Sequence, residues 1–342
     1  MILTIAIPTY NRPTKVRNTL LRLIPQLNDQ VFLRILDNHS DTDIKSYVQN
    51  DIVPAIADRI EIIRHKVNIG GDANFQRCFE LCETPYIWMI GDDDMVADNA
   101  VELILKELEV FNDFDLIGIN FNSNCCKRER VSSVTINSTK ELAYKLDSFG
   151  NWLFISTSVY KTKEYLKYIY MAGWGAYSMA SQVVPAMMAI SKHKVFVLSE
   201  KYIVTNIPVE DVNTKWSDYQ LALSLSSLLE APVGFKGDEY KAFGEKLDMH
   251  FNCIYPGDIV YCILKSVNYN IDLIDNYHIY IYKQLIEKTF EFRNARRLTQ
   301  VSQYYIGLFL LRNRIVLKIL WALVPGIKRK SAQSIPFHLF KR

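Results

Sequence analysis

The chain has 342 residues, 49% of them hydrophobic and 23% charged, a composition ordinary for a soluble globular protein and long enough for one large or two modest domains. Its net charge of +3 hides an asymmetry: eleven of the 40 Lys and Arg fall from Arg293 onward with no Asp or Glu among them, leaving 29 basic against 37 acidic residues in 1–292. A basic tail on an acidic body points to an anionic partner for the tail, while the acidic body argues against a nucleic-acid binder.

The elements follow one another in a regular alternation. Residues 2–7 are a short apolar run ended by Pro8 and read as a buried strand. Residues 14–27 place Val16, Leu20, Leu23 and Leu27 on a helical stripe, 31–36 form a second strand, and 43–57 a helix. A third strand, 60–64, runs into the loop Asn68-Ile69-Gly70-Gly71. A helix over 72–82, a strand over 86–90, a helix over 98–111 and a strand over 115–121 complete the pattern. Strands and helices with short connections predict an α/β domain on a mostly parallel sheet. Beyond residue 122 the signal weakens: 152–160 and 195–205 read as strands, and 217–230, 237–253, 257–267 and 276–295 as helices. Met1 leads directly into the first strand without a basic leader, which predicts no signal peptide. The six cysteines show neither a C-x-x-C pair nor zinc spacing and read as reduced, mostly packing thiols.

In a parallel α/β sheet the ligand lies beyond the carboxyl ends of the strands. The polar clusters of this sequence all fall there: Pro8-Thr9-Tyr10-Asn11-Arg12, Asp37-Asn38, Asn68 to Gly71, and Gly91-Asp92-Asp93-Asp94. Three consecutive carboxylates at the end of an apolar strand repel one another and resist desolvation unless positive charge sits among them. A hard divalent cation, Mg2+ or Mn2+, takes oxygen ligands and shares them with a phosphate. A solvated acidic turn opening the next helix is the plainer alternative.

These motifs, I-A-I-P-T-Y-N-R-P, D-N-H-S-D at 37–41, N-x-G-G-x-x-N from Asn68 to Asn74 (with Arg77 further along the same helix) and G-D-D-D at 91–94, resemble family 2 glycosyltransferases of the GT-A fold over roughly the first third of the chain. The flavour is similar to bacterial O-antigen and surface-polysaccharide transferases, including abequosyltransferase-like ones. The resemblance implies a nucleotide-sugar donor (UDP-, CDP-, GDP- or dTDP-linked), Mn2+ or Mg2+, and a glycan or lipid-linked acceptor. It assigns donor binding to Pro8, Thr9, Tyr10, Asn11, Arg12, Asp37, Asn38, Asn68, Gly70, Gly71, Asn74, Arg77, Asp92 and Asp93. Tyr10 would pack on the base or ribose, and Asp37 would read the base. Two alignments of the acidic run stay open. In one, Gly91 stands where the family often has its first Asp and Asp93-Asp94 are the working pair. In the other, Asp92 and Asp94 form the D-x-D that holds the metal.

One departure matters. Inverting members of the family carry an acceptor-activating base, often in a Glu-Asp pair, roughly ninety residues after the metal motif. Here Ala172 to Gln182 holds no carboxylate. Glu210-Asp211 is the best-looking later pair, with Glu200 and His193 also near; a retaining enzyme would need no such base. Trp174 and Tyr177 are expected to stack on the acceptor sugar. Residues 304–327 are apolar but interrupted by Arg312, Arg314 and Lys318, which argues against a transmembrane span and for an amphipathic helix on an anionic membrane surface. The expected organisation is a GT-A catalytic domain over 1–215, a helical region over 216–300, and a membrane-associating tail over 301–342, on the inner face of a bacterial membrane. Rival readings are a degenerate sugar-binding subunit and a nucleotidyltransferase. The latter is disfavoured because the loop after the first strand lacks glycine.

Overall fold

The structure is a computed structural model describing residues 1–111, 115–123, 130–147, 149–175, 180–205, 228, 231–251, 259–261, 263–264, 267, 269–293 and 298–323. The chain divides into two compact units, Met1–Pro208 with Ala231–Phe235, and Val209–Glu230 with Lys236–Arg342.

The first unit is built on β1 (Leu3–Thr9), β2 (Val31–Asp37), β3 (Ile60–Arg64), β4 (Tyr86–Met89), β5 (Met95–Val96), β6 (Leu116–Asn122), β7 (Val134–Ile136), β8 (Ser158–Lys161), β9 (Val195–Tyr202) and β10 (Val204–Thr205). Eight of these make one sheet in the order β3-β2-β1-β4-β8-β6-β9-β7. β8 runs antiparallel to both its neighbours and β7 antiparallel to β9, so the other six share one direction. β5 and β10 form a separate antiparallel pair. The helices of this unit are α1 (Pro13–Leu23), α2 (Ile44–Val48), α3 (Gly71–Glu80), α4 (Ala100–Val110), α5 (Thr139–Lys145), α6 (Phe149–Leu153), α7 (Thr162–Leu166), α8 (Ala172–Gly175) and α9 (Val183–Ser191).

Every residue of β1 is buried, because helices cover both faces of a central parallel strand, and such strands read as unbroken apolar runs. The strand does not stop at Pro8. It stays paired with β2 through Thr9 opposite Asp37, while its pairing with β4 ends at Ala6 opposite Met89. The Ile2 and Ala6 carbonyls accept from Tyr86 and Ile90 on the β4 side and the Thr9 carbonyl from Asn38 on the β2 side, so Pro8 falls on the β4 edge, where its missing N–H ends the ladder. From that point β4 parts from β1 and the acidic run begins. β2 and β3 lie on one side of β1 and β4 on the other, so the sheet reverses its winding order between β1 and β4, where open α/β sheets bind ligands.

Two expected elements come out differently. The helix expected over 43–57 breaks into α2 and short 3₁₀ turns at Gln49–Asp51 and Pro54–Arg59, since Pro54 cannot continue a helix. The strand expected over 152–160 is confined to β8, and Trp152 and Leu153 belong to α6. A short apolar run does not distinguish a buried helix from a strand.

Gly118 lets β6 approach β8. A Cβ there would lie 2.5 Å from the Val159 carbonyl and 2.9 Å from the Tyr160 ring. Because backbone is one of the colliding groups, Gly118→Ala is expected to cost about 1–3 kcal/mol. Thermal or urea unfolding measures it, and a melting temperature equal to that of the parent would contradict the reading.

The second unit is helical, with described helices Asp238–Phe251, Asn276–Arg293, Leu298–Arg312 and Arg314–Leu323. Its core joins Ile263, Ile271, Ile281, Tyr282, Ile286, Leu311 and Leu317. The Tyr282 and Tyr304 rings stack with centroids 5.8 Å apart, and the Tyr282 hydroxyl donates to the Tyr304 carbonyl at 3.0 Å. The single amphipathic helix expected from residue 304 is instead two, divided at Asn313, whose side chain donates to the Phe309 carbonyl at 2.7 Å. Among the described residues no helix is long and apolar enough to cross a membrane.

Candidate active site

The loop after β1 is shaped by its residue types. Asn11 adopts a left-handed conformation with φ of 56°, which Asn tolerates better than most residues, and Pro13 starts α1. The Asn11 amide donates to Ser40 Oγ at 2.8 Å, and its side-chain oxygen accepts from the Asp41 amide at 2.7 Å. This turn swings Arg12 toward the acidic run and leaves Tyr10 exposed.

The three aspartates after β4 have three distinct environments. Asp92 is locked across the β1/β4 junction. Its Oδ2 accepts from Thr9 Oγ1 at 2.7 Å and its Oδ1 from Arg12 at 3.0 Å, while its carbonyl accepts from Thr19 Oγ1 at 2.9 Å. Asp93 faces outward; its side chain is 38% exposed against 6% for Asp92. It pairs with Arg12 at 3.2 Å and Lys15 at 3.1 Å. Asp94 turns inward, where its Oδ2 accepts from Ser156 Oγ, and the same hydroxyl accepts from the Gly91 amide at 2.8 Å. Burial raises the pKa of Asp92 above the ordinary value. It pushes Asp94 up to about 6 against the opposing Ser156 hydrogen bond, with the Asp93 and Asp92 charges adding to the rise.

Ser156 stands just before β8. Because β8 is antiparallel, the start of that strand reaches the sheet edge where the parallel strands end, and so meets Asp94. The residue was not singled out from the sequence, and only the reversed strand direction reveals it.

The remaining expected donor residues gather along the same edge. Asp37 is fully buried, and accepts from Arg64 at 2.7 Å and from the Ser40 amide at 2.8 Å. Asn38 bonds Asn68 at 2.8 Å and accepts from the Ile69 amide at 2.9 Å, which ties the glycine loop to the end of β2. Gly70 caps α3 with φ of +87°, a conformation that favours glycine. Gly71 opens α3, and Asn74 bonds His65 at 2.8 Å and donates to the Leu36 carbonyl at 3.2 Å. Arg77 pairs with Glu80 on its own helix, an ordinary surface arrangement.

Among the expected acceptor-side residues, Trp174 lies on α8, and Tyr177, Glu210 and Asp211 lie outside the described residues. His193 is a poor base candidate: it stands two residues before β9, at the sheet edge opposite the acidic run. Glu200 is bound by Ser133 and Lys201, and its pKa is held down to about 2, chiefly by the Ser133 hydroxyl. Cys78 and Cys82 are buried free thiols.

A metal can be tested against this donor set. The carboxylates supply only oxygen, the choice of a hard divalent cation. Among the described residues no group of three or more His, Cys, Asp or Glu side chains is placed to hold a metal ion by itself.

The sequence model of glycosyl transferase family 2 matches residues 4–161. These residues form a family 2 glycosyltransferase domain of the GT-A fold. An uncharacterized glycosyltransferase of Methanocaldococcus jannaschii is 24% identical over 155 residues, which span 42% of this chain and 51% of that protein. The chain thus matches about half the length of that relative. Two solved structures share the fold. Staphylococcus aureus TarS 1–349 has a TM-score of 0.53 at 12% identity, with 91% of each chain covered. The mannosyltransferase PcManGT of Pyrobaculum calidifontis, in complex with GDP-Man and Mn2+, has a TM-score of 0.53 at 13% identity, covering 94% of this chain and 87% of its own. The family 2 domain contains β1 through β8, and so all of the acidic run and its partners Thr9, Arg12, Lys15 and Ser156.

Proposed function

We infer that this protein transfers a sugar from a nucleotide-sugar donor to a glycan acceptor carried on a lipid, in the synthesis of a bacterial surface polysaccharide such as O-antigen. The observation that carries the donor half is the Thr9–Asp92 bond across the β1/β4 junction. It joins the nucleotide-side loop to the acidic run at the point where this fold binds ligands. The bound donors of solved relatives support the same half: TarS has been solved with UDP-GlcNAc, at a TM-score of 0.52, and PcManGT with GDP-Man and Mn2+.

Asp93 and Asp94 are the residues that would hold Mn2+ or Mg2+. Supporting this choice over Asp92 with Asp94, both oxygens of Asp92 are already committed to Thr9 and Arg12. When bound, the cation stabilises the charge that develops on the departing nucleoside diphosphate. Arg12 and Lys15 bring fixed positive charge to the same place. Thr9, Asp92 and Thr19 keep the end of β4 in register with β1, so the carboxylates stay oriented as the donor arrives. Tyr10 is exposed beside them, positioned to cover a base or ribose.

Melting temperatures with UDP, CDP, GDP and dTDP, each with and without Mn2+, test the donor half. One nucleotide is expected to raise the melting temperature selectively and in a metal-dependent way. Indifference to all four would refute it. For the acceptor side, Trp174→Ala is expected to raise acceptor KM several-fold with donor hydrolysis unchanged, and equal loss of both would refute that role.

The membrane reading rests on the helix Arg314–Leu323. Ile315, Ile319 and Leu323 recur every four residues on it and are 76%, 57% and 73% exposed. Lys318 and Arg314 are tied to Asp272, by an ion pair at 2.6 Å and a carbonyl hydrogen bond at 3.2 Å. The attraction to anionic lipid therefore rests more on Arg312 and on Lys328, Arg329 and Lys330, which lie beyond the described residues. Replacing Ile315 and Ile319 by Ser is expected to release the protein from vesicles containing phosphatidylglycerol; undiminished co-sedimentation would count against this face.

A further inference from the structure

The segment in which the family carries its acceptor-activating carboxylate has none in this chain, yet a carboxylate reaches it from elsewhere. Asp72, in the first turn of α3, accepts a hydrogen bond on Oδ1 from Ser181 Oγ at 2.6 Å across 109 residues of sequence. Ser181 in turn accepts from Gln76 Nε2 at 3.2 Å, one helical turn beyond Asp72. The hydroxyl is thus aimed at the carboxylate, and Oδ2 of Asp72 accepts from no described residue.

A further contact ties this pair to the site. Gln182, next to Ser181, is 1% exposed and donates Nε2 to the Leu153 carbonyl at 3.1 Å, three residues before the Ser156 that binds Asp94. The segment 180–182 is therefore pinned between α3 and the turn that holds the acidic run.

We propose that Asp72 is the general base of this enzyme, replacing the carboxylate that the 172–182 segment lacks. The proposal rests on the glycosyltransferase reading above. In the step it performs, the acceptor hydroxyl oxygen forms a bond to the anomeric carbon as the bond from that carbon to the diphosphate oxygen breaks. The hydroxyl proton passes to Asp72 Oδ2, and the bonding electron pair leaves with the nucleoside diphosphate. Ser181 and Gln76 are positioning residues that fix the carboxylate's orientation. Burial raises the Asp72 pKa, against the opposing Ser181 hydrogen bond, the direction that suits a base working near neutrality.

The test uses the full chain with Mn2+ and a panel of UDP-, CDP-, GDP- and dTDP-sugars, with water as the acceptor and nucleoside diphosphate release as the readout. Asp72→Asn is expected to lower the rate about 100-fold or more while the donor still raises the melting temperature as in the parent. Asp72→Ala is expected to regain part of its rate in formate, a small carboxylate that can take the proton. Release at the parental rate by Asp72→Asn would overturn the proposal. So would a loss of rate that is matched by loss of donor binding and unrelieved by formate, which marks a structural role. A parent chain that neither binds nor cleaves any donor would instead overturn the function on which the proposal rests.

Discussion

Replacing Asp94 by Asn is expected to make the protein more stable above pH 6 and to abolish metal-dependent cleavage of the donor. The folded state holds the Asp94 pKa at about 6, above its ordinary 3.8. A carboxylate raised in this way binds its proton more tightly in the folded than in the unfolded chain. Its contribution to stability is therefore most favourable below about pH 3.8, declines as pH rises toward 6, and stays unfavourable beyond. At 1.36 kcal/mol per pKa unit, the penalty above pH 6 is roughly 1–3 kcal/mol. The neutral amide removes it and still accepts from Ser156. Melting temperatures in EDTA should thus rise by several degrees for Asp94→Asn at pH 8, and the gain should vanish toward pH 4. Mn2+ should stabilise the parent and leave the variant largely unmoved, since binding of a cation relieves the same repulsion. A variant less stable than the parent at pH 8 would show that Asp94 is held by favourable contacts rather than against a desolvation cost.

β1, β2, β4 and β6 were legible because each lies inside the sheet, buried, and is written as an apolar run, and because polar residues mark the ends of β1, β2 and β4; β3, half-buried at the sheet edge, was legible from its β-branched residues. Thr9, Arg12 and the aspartates were legible for the same reason: they follow strands directly. What stayed hidden depends on strand direction and on contacts between distant parts of the chain. Ser156 precedes a strand and would be dismissed as a far-edge residue were β8 parallel; its antiparallel course brings it to Asp94. Asp72 is one of the unspecified positions within N-x-G-G-x-x-N, and nothing local connects it with Ser181. Pro8 has the opposite lesson. It is a local strand breaker only on the edge where its N–H would be needed, and here that edge is free to part from β4.

Gly91→Asp would restore the aspartate that the family often carries at this position, and it is expected to inactivate this protein. A Cβ at residue 91 would lie 2.4 Å from Asp94 Oδ2 and 3.1 Å from its Cγ, so the inward turn of Asp94 occupies the space a side chain would need. The Gly91 amide also donates to Ser156, which holds Asp94 in that turn. A new side chain must therefore push Asp94 off Ser156, and a fourth carboxylate would join a cluster already short of compensating charge, since Arg12 and Lys15 are engaged with Asp92 and Asp93. Donor cleavage should fall by at least about 100-fold, in line with the loss of a positioned electrostatic group, and the melting temperature should drop as well. Gly91→Ala separates the two causes. It brings the steric conflict without the charge, so activity near the parent's with Ala and lost with Asp would assign the effect to repulsion, whereas equal loss in both assigns it to the displaced Asp94. Full activity with Asp would mean that the carboxylates rearrange freely, and that the inward position of Asp94 is not the working one.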